Sequence, residues 1–218
     1  MLKKAVIVGA SGLIGGELLN ILLQNTDYQE VISISRKELP INHTKLVQLV
    51  ISFDELDKWS ASINGHVLFC CLGTTAKKTP DLIEYRKIDH DHPVKLAQLA
   101  HLNGIKQYHL VSALGANANS AGFYLKTKGE TERDIEKIPF KTVQIYQPSL
   151  LTGNRQEKRL MERIAIAAMK VIDPLLIGGL SKYRSIPAIT VARAMFKQSL
   201  KNEVGIFIHP SDKIKQLA

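Results

Sequence analysis

The chain has 218 residues, 45% hydrophobic and 22% charged, with a formal net charge of +9. That length fits one large domain, or a core domain with a small appendage, and excludes a disordered, collagen-like or disulfide-scaffolded chain. The positive charges are scattered and only 6% of residues are aromatic, so there is no basic groove interleaved with stacking rings; nucleic acid is not expected, and an anionic cofactor is the more economical partner.

Residues 5–8 (Ala-Val-Ile-Val) read as a buried strand, followed by a glycine turn and a helix to about residue 25. Residues 31–35 and 46–51 read as the second and third strands, with a short helix around 54–62. A fourth strand covers 67–72. A long helix then spans about 81–103, where Gly104 is placed to end it. Residues 108–111 make the fifth strand, 122–138 a helix and 142–146 the sixth strand. Beyond Pro148 the rhythm weakens to a helix around 157–172, a loop, a helix from about 188 to 200 and a strand at 204–208. Apolar strands alternating with helices imply βαβ units with right-handed crossovers. The expected fold is α/β, a Rossmann-type doubly wound parallel sheet with helices on both faces. A single domain over 1–218 is expected, with a core of about 1–150. The extension, about 151–218, would pack on the sheet's carboxyl edge.

Between the first strand and first helix stands Gly9-Ala10-Ser11-Gly12-Leu13-Ile14-Gly15. Gly9 can make the tight turn, Gly12 lets backbone approach a pyrophosphate, and Gly15 lets helix pack on strand. The helix N-terminus offers free N–H groups and partial positive charge to an anion. An ordinary strand-to-helix turn is the plain alternative, but the strand–loop–helix context is the one a nucleotide site requires. At the end of the second strand, Ser35-Arg36-Lys37 lacks the carboxylate that would bond a ribose 2′-hydroxyl. Arg36 can fork onto a 2′-phosphate and Lys37 adds a point charge, which favours NADP(H) over NAD(H). Two solvated bases at a strand end would be the bland reading.

Tyr124 and Lys128 stand four apart at a helix start and share one face. A phenol has a pKa near ~10, and a neighbouring ammonium is expected to lower it. The lysine can also hold a nicotinamide ribose, so the pair is a candidate acid/base device. Ser112 lies twelve residues upstream of Tyr124, at the carboxyl end of the fifth strand, where its hydroxyl can donate to a substrate carbonyl. The structural alternatives are a turn serine and an aromatic packed on the sheet.

The stretches GASGLIG at 9–15, SRK at 35–37, FCCLGTT at 69–75, VSALGA at 111–116, YLKTKGETE at 124–132, QPSLLTGNRQEKR at 147–159 and SIPAITVARAM at 185–195 are distinctive together. The chain resembles the extended or atypical short-chain dehydrogenase/reductases, and within them the Tat-interacting oxidoreductase-like family, over roughly residues 3–200. The resemblance implies an NADPH-binding Rossmann domain with Tyr124 as acid/base. It implies cofactor contacts from Ser11, Gly12, Leu13, Ile14, Arg36, Lys37, Leu72, Tyr124, Lys128 and Leu151, with Arg159 as a basic residue near the nucleotide. Gly73, beside the pyrophosphate crevice, and Pro148, near the nicotinamide, lie at strand ends that fit this picture. Three positions depart from it. Ser52 stands where relatives have an acidic residue at the adenine, unless Asp54 substitutes. Ala113 replaces the second of two hydroxyl residues. Asp89 occupies a region where many relatives use asparagine, and no role is assigned to it.

No metal site is expected. His90 and His92 alternate with Asp89 and Asp91 on a helix, where i and i+2 do not share a face. Adjacent Cys70 and Cys71 are read as packing residues, and free thiols with no signal core or membrane span fit a cytoplasmic protein. The leading function is an NADPH-dependent oxidoreductase acting on a small-molecule carbonyl or alcohol, with Tyr124, Lys128 and Ser112 as catalytic residues. The alternatives are an NADPH-sensing regulator without turnover and a sugar-nucleotide epimerase; Arg36 and the modest tail count against the epimerase. Residues 160–180 are read as an apolar wall or a core helix. A homodimer is left open, because long helices of such folds often pair subunits.

Overall fold

The first strand sets the plan. In β1 (Lys4–Val8) every residue from Ala5 to Val8 is fully buried, and successive side chains point to opposite faces of the sheet. Ala5 and Ile7 enter one hydrophobic core, Val6 and Val8 the other. A strand buried on both faces belongs in the middle of a parallel sheet covered by helices.

A computed structural model describes residues 3–153, Leu176 and residues 178–218. After β1 come α1 (Leu13–Gln24), β2 (Glu30–Ser35), β3 (Leu46–Val50), a 3₁₀ segment (Phe53–Ser62) and β4 (Val67–Cys70). Next are α2 (Leu82–Arg86), a π-helical turn (Lys87–Asp91), α3 (His92–Leu102), β5 (Gln107–Val111), α4 (Phe123–Glu136) and β6 (Thr142–Gln147). The short β7 (Leu151–Thr152) and β8 (Ile186–Pro187) pair with each other, followed by α5 (Ala188–Ser199), β9 (Gly205–Pro210) and α6 (Ser211–Leu217). The main sheet has seven parallel strands in the order β3-β2-β1-β4-β5-β6-β9. The order reverses between β1 and β4, and the crevice above that point is where doubly wound sheets bind ligands.

The elements depart from the sequence expectations in three places. The 54–62 helix is 3₁₀, and Ser52 begins it, its hydroxyl accepting from the Asp54 N–H at 3.3 Å. The long 81–103 helix is interrupted by the π turn, whose extra residue rotates Asp89 inward until it is 1% exposed. Gly104 does follow the helix, with φ +79°. The third departure concerns the extension, expected on the sheet's carboxyl edge: α5 instead packs along α1, and β9 becomes the seventh strand. The alternation in β9 explains that placement, because Ile206 and Ile208 register with Val143 and Ile145 while Phe207 and His209 take the opposite face. The expected helix at 157–172, the wall at 160–175 and Arg159 lie outside the described residues.

Between β5 and β6, His109 is fully buried. Its ring meets Phe69 edge-on and stacks on Tyr146, whose hydroxyl shares a 3.1 Å hydrogen bond with His109 Nδ1. Burial first, then the nearby His209, push its pKa down to about 3. The unfolded chain takes up this proton near pH ~6.5, whereas the folded chain does so only near 3. The contribution is therefore complete above about 6.5 and is lost towards pH 3, at roughly 1.4 kcal/mol per pH unit. Urea midpoints between pH 7 and pH 4 are expected to fall more steeply for the wild type than for His109→Gln. Parallel slopes would remove His109 as the cause.

Candidate active site

At the carboxyl end of β1 the chain turns at Gly9, with φ +83°, and Gly9 O accepts the Gly12 N–H at 2.9 Å. A Cβ on Gly9 would lie 2.5 Å from Cys71 O, and one on Gly15 would lie 2.2 Å from Gly9 O. Both are backbone collisions, so the turn and the α1–β1 contact require glycine. Gly12 is the N-cap of α1 and provides no side-chain cap, and the first turn carries no acidic residue. Its N–H groups are thus left to an external acceptor, the condition for an anion site. Ser11 is exposed at the loop tip, whereas the Ile14 side chain belongs to the core. Only the backbone of Ile14 remains for a ligand.

Arg36 and Lys37 are exposed just beyond β2, where the Ser35 hydroxyl donates to Lys37 O at 2.7 Å and fixes the turn. The other expected contacts flank the loop. Leu72 leaves β4 partly buried against the second core, and Gly73 is exposed. Pro148 O accepts the Leu114 N–H at 3.0 Å, tying the ends of β5 and β6 together. Leu151 begins β7, and beyond it Gly153 faces Leu13, where an added Cβ would approach Leu13 Cδ1 to 2.9 Å.

The inner face of α4 is unusually polar: Thr127, Lys128, Thr131 and Glu132 are all buried there. Polar groups taken from water must find partners. Lys128 Nζ lies 3.4 Å from Asp89 Oδ2. Asp89 Oδ1 accepts the Thr74 N–H at 2.9 Å, and the Thr131 hydroxyl donates to Asp89 O at 2.8 Å. Gly73 sits beside this pair, a Cβ there standing 3.6 Å from Asp89 Oδ1 and 3.7 Å from Lys128 Nζ. Tyr124, 45% exposed, opens the same helix face. Tyr85 adjoins it, bonding Thr74 O at 3.3 Å and meeting Phe123 edge-on.

The phenol of Tyr124 differs from the expectation. Its pKa is raised, because desolvation outweighs the lowering by Lys128 and Asp89 adds a further rise. Lys128 is also raised: burial disfavours its charge, but Asp89 and then Tyr124 more than restore it.

Ser112 is 5% exposed; its N–H donates to Tyr146 O at 2.7 Å. Among the described residues its hydroxyl completes no hydrogen bond, although it lies near enough to the Glu132 carboxyl to pull that group down. Burial wins and holds the Glu132 pKa above the usual range, while Gln147 Nε2 donates to both carboxylate oxygens at 3.0 Å. Asp89 and Glu132 are the two residues that motif reading did not place. Glu132 is four residues beyond Lys128, so helical spacing alone could have flagged it. The histidines near Asp89 face different neighbours: His90 meets Asp91 and Asp134 at 2.6 and 3.1 Å, and His92 packs on Phe53. No helix among the described residues is long and apolar enough to cross a membrane.

The model of the NAD dependent epimerase/dehydratase family matches residues 5–204. Protein HTATIP2 of Rattus norvegicus is 35% identical over 197 residues, covering 88% of this chain and 79% of that protein. Protein FMP52, mitochondrial, of Kluyveromyces lactis is 42% identical over 154 residues, covering 69% and 68%. Among solved structures, UDP-glucuronic acid 4-epimerase from Bacillus cereus in complex with NAD superposes with a TM-score of 0.68 at 15% identity, covering 95% of this chain and 77% of that one.

Proposed function

The chain belongs to the NAD dependent epimerase/dehydratase family, with HTATIP2 among its relatives, and from that premise we propose that it is an NADP(H)-dependent oxidoreductase of the atypical short-chain type. Its substrate is a small carbonyl compound or the corresponding alcohol. The observation that carries this reading is the Tyr124–Lys128 pair on α4, set beside Gly73 at the end of β4, the strand adjoining the glycine loop.

The chain's residues fit such a nucleotide. The α1 N-terminus lacks a side-chain cap, its glycines leave no room for a Cβ, and Ser112 keeps a buried hydroxyl free of completed hydrogen bonds. Gly9, Ser11, Gly12, Leu13, Ile14 and Gly15 would hold the pyrophosphate through backbone. Arg36 and Lys37 would hold a 2′-phosphate, Lys128 the ribose, and Leu72, Gly73, Pro148 and Leu151 the walls of the crevice. When bound, the nucleotide supplies or accepts the hydride. Tyr124 moves the proton at the substrate oxygen, and the Ser112 hydroxyl donates a hydrogen bond to that oxygen. We assign these roles within one nucleotide-binding domain. Cytoplasmic placement rests on the two free thiols; the yeast relative's name carries a mitochondrial address.

A regulator that senses the nucleotide without turnover is the second reading, favoured by Ala113 in place of a second hydroxyl. An epimerase is disfavoured by Arg36 and by length, since the chain spans only 77% of the solved epimerase.

The test is a fluorescence titration with NADPH, with NADH as comparator. NADPH is expected to bind more tightly. Arg36→Ala should erode that preference by about tenfold or more, the scale of a hydrogen bond to a charged group. Equal affinities unaffected by Arg36→Ala would overturn the NADP(H) assignment, and binding of neither nucleotide would overturn the whole reading.

A further inference from the structure

Asp89 is a buried carboxylate with no part in the scheme above, and its surroundings are specific. The π turn drives it inward; the Thr74 N–H fixes Oδ1, and Oδ2 faces Lys128 at 3.4 Å. That distance exceeds the ~2.7–2.9 Å of a charge-assisted hydrogen bond, and among the described residues Oδ2 has no hydrogen-bond partner. A π turn costs helix regularity and is found mostly at functional sites. We propose that Asp89 is a positioning residue that clamps Lys128 as a buried ion pair, dividing the lysine's charge between carboxylate and phenol, so that the site keeps Tyr124 as a neutral proton donor suited to carbonyl reduction.

The charges facing the pair come from four elements: Lys128 on α4 itself, Asp89 on the π turn, Tyr85 on α2 and Cys70 on β4. A lone buried ammonium would tend to lose its proton. Asp89 prevents this, and in doing so it opposes a second negative charge forming on Tyr124. The directions agree, since Lys128 and Tyr124 both stand above their ordinary values and Asp89 contributes to each rise. In reduction the carbonyl carbon takes hydride from the reduced nicotinamide, and the oxygen takes the Tyr124 proton. The phenolate is then reprotonated from water, leaving alcohol and oxidised nucleotide. The reverse reaction needs phenolate as base and is therefore confined to alkaline pH.

This assignment rests on the oxidoreductase reading, but its test needs no nucleotide or substrate. The ultraviolet absorbance of tyrosinate is titrated in the wild type and in Tyr124→Phe, and the difference isolates Tyr124. In the wild type Tyr124 is expected to ionise above free tyrosine, about 10. Asp89→Asn should move the ionisation down by about one pH unit, the scale of a neighbouring charge. An unchanged or higher ionisation in Asp89→Asn overturns the proposal. If that variant does not fold, the wild-type titration still decides: ionisation below free tyrosine overturns it. Failure to bind NADPH would instead overturn the oxidoreductase reading.

Discussion

Tyr124→Phe is expected to lower turnover of aldehydes or ketones with NADPH by about 10²–10⁴, the usual contribution of a positioned proton donor. NADPH affinity should be nearly unchanged. The substitution removes one oxygen and keeps the ring, which is partly exposed at the start of α4, so melting temperature should also hold. The measurement is NADPH oxidation across a panel of small carbonyl compounds, beside the fluorescence titration. Equal rates in the two proteins would remove Tyr124 from the chemistry, and a wild type that binds NADPH but turns over nothing would favour the sensing reading. The expected pH dependence has a definite sign. Because the phenol is raised, it remains a competent acid through neutral pH, and reduction should weaken only as alkaline conditions remove the proton.

Gly15→Val should have the largest effect on the fold and on nucleotide binding together. The first added atom would stand 2.2 Å from Gly9 O and 2.8 Å from Gly9 C. That obstacle is backbone, inside the turn that sets the α1–β1 contact, so no side chain can swing aside. We expect a loss of about 3 kcal/mol or more, beyond ordinary overpacking, and a melting temperature lower by roughly 10 °C. NADPH binding should be lost. Gly16→Ala is the matched control: its Cβ would meet Ala10 O at 3.4 Å, an ordinary contact. Alanine in place of helical glycine is expected to be neutral or stabilising by up to ~1 kcal/mol, with NADPH binding intact. Retained binding in Gly15→Val would show that the turn tolerates displacement and that its glycines do not define the site.

The sequence by itself determined what depends on near neighbours. Short buried runs, a glycine turn and a helix are local properties, so β1, the loop and α1 were legible from residues 4 to 24. So was the common face of Tyr124 and Lys128, fixed by helical geometry, and so was the alternation that implies a parallel sheet. Tertiary structure decided the rest. The π turn that buries Asp89 depends on packing against α4, where Thr131 receives it, and a 3.6-residue period cannot foresee a five-residue turn. Gly129 carries no motif signal, yet a Cβ there would lie 2.2 Å from Ala118 N, a demand made by a loop eleven positions earlier. β9 was readable as a strand, but not its place beside β6, because strand pairing is a contact across more than fifty residues. The sign of the Tyr124 shift shows the same division. The lysine four residues away was visible and predicted a lower pKa, whereas the desolvation and the Asp89 carboxylate that reverse it exist only once the chain has folded around the phenol.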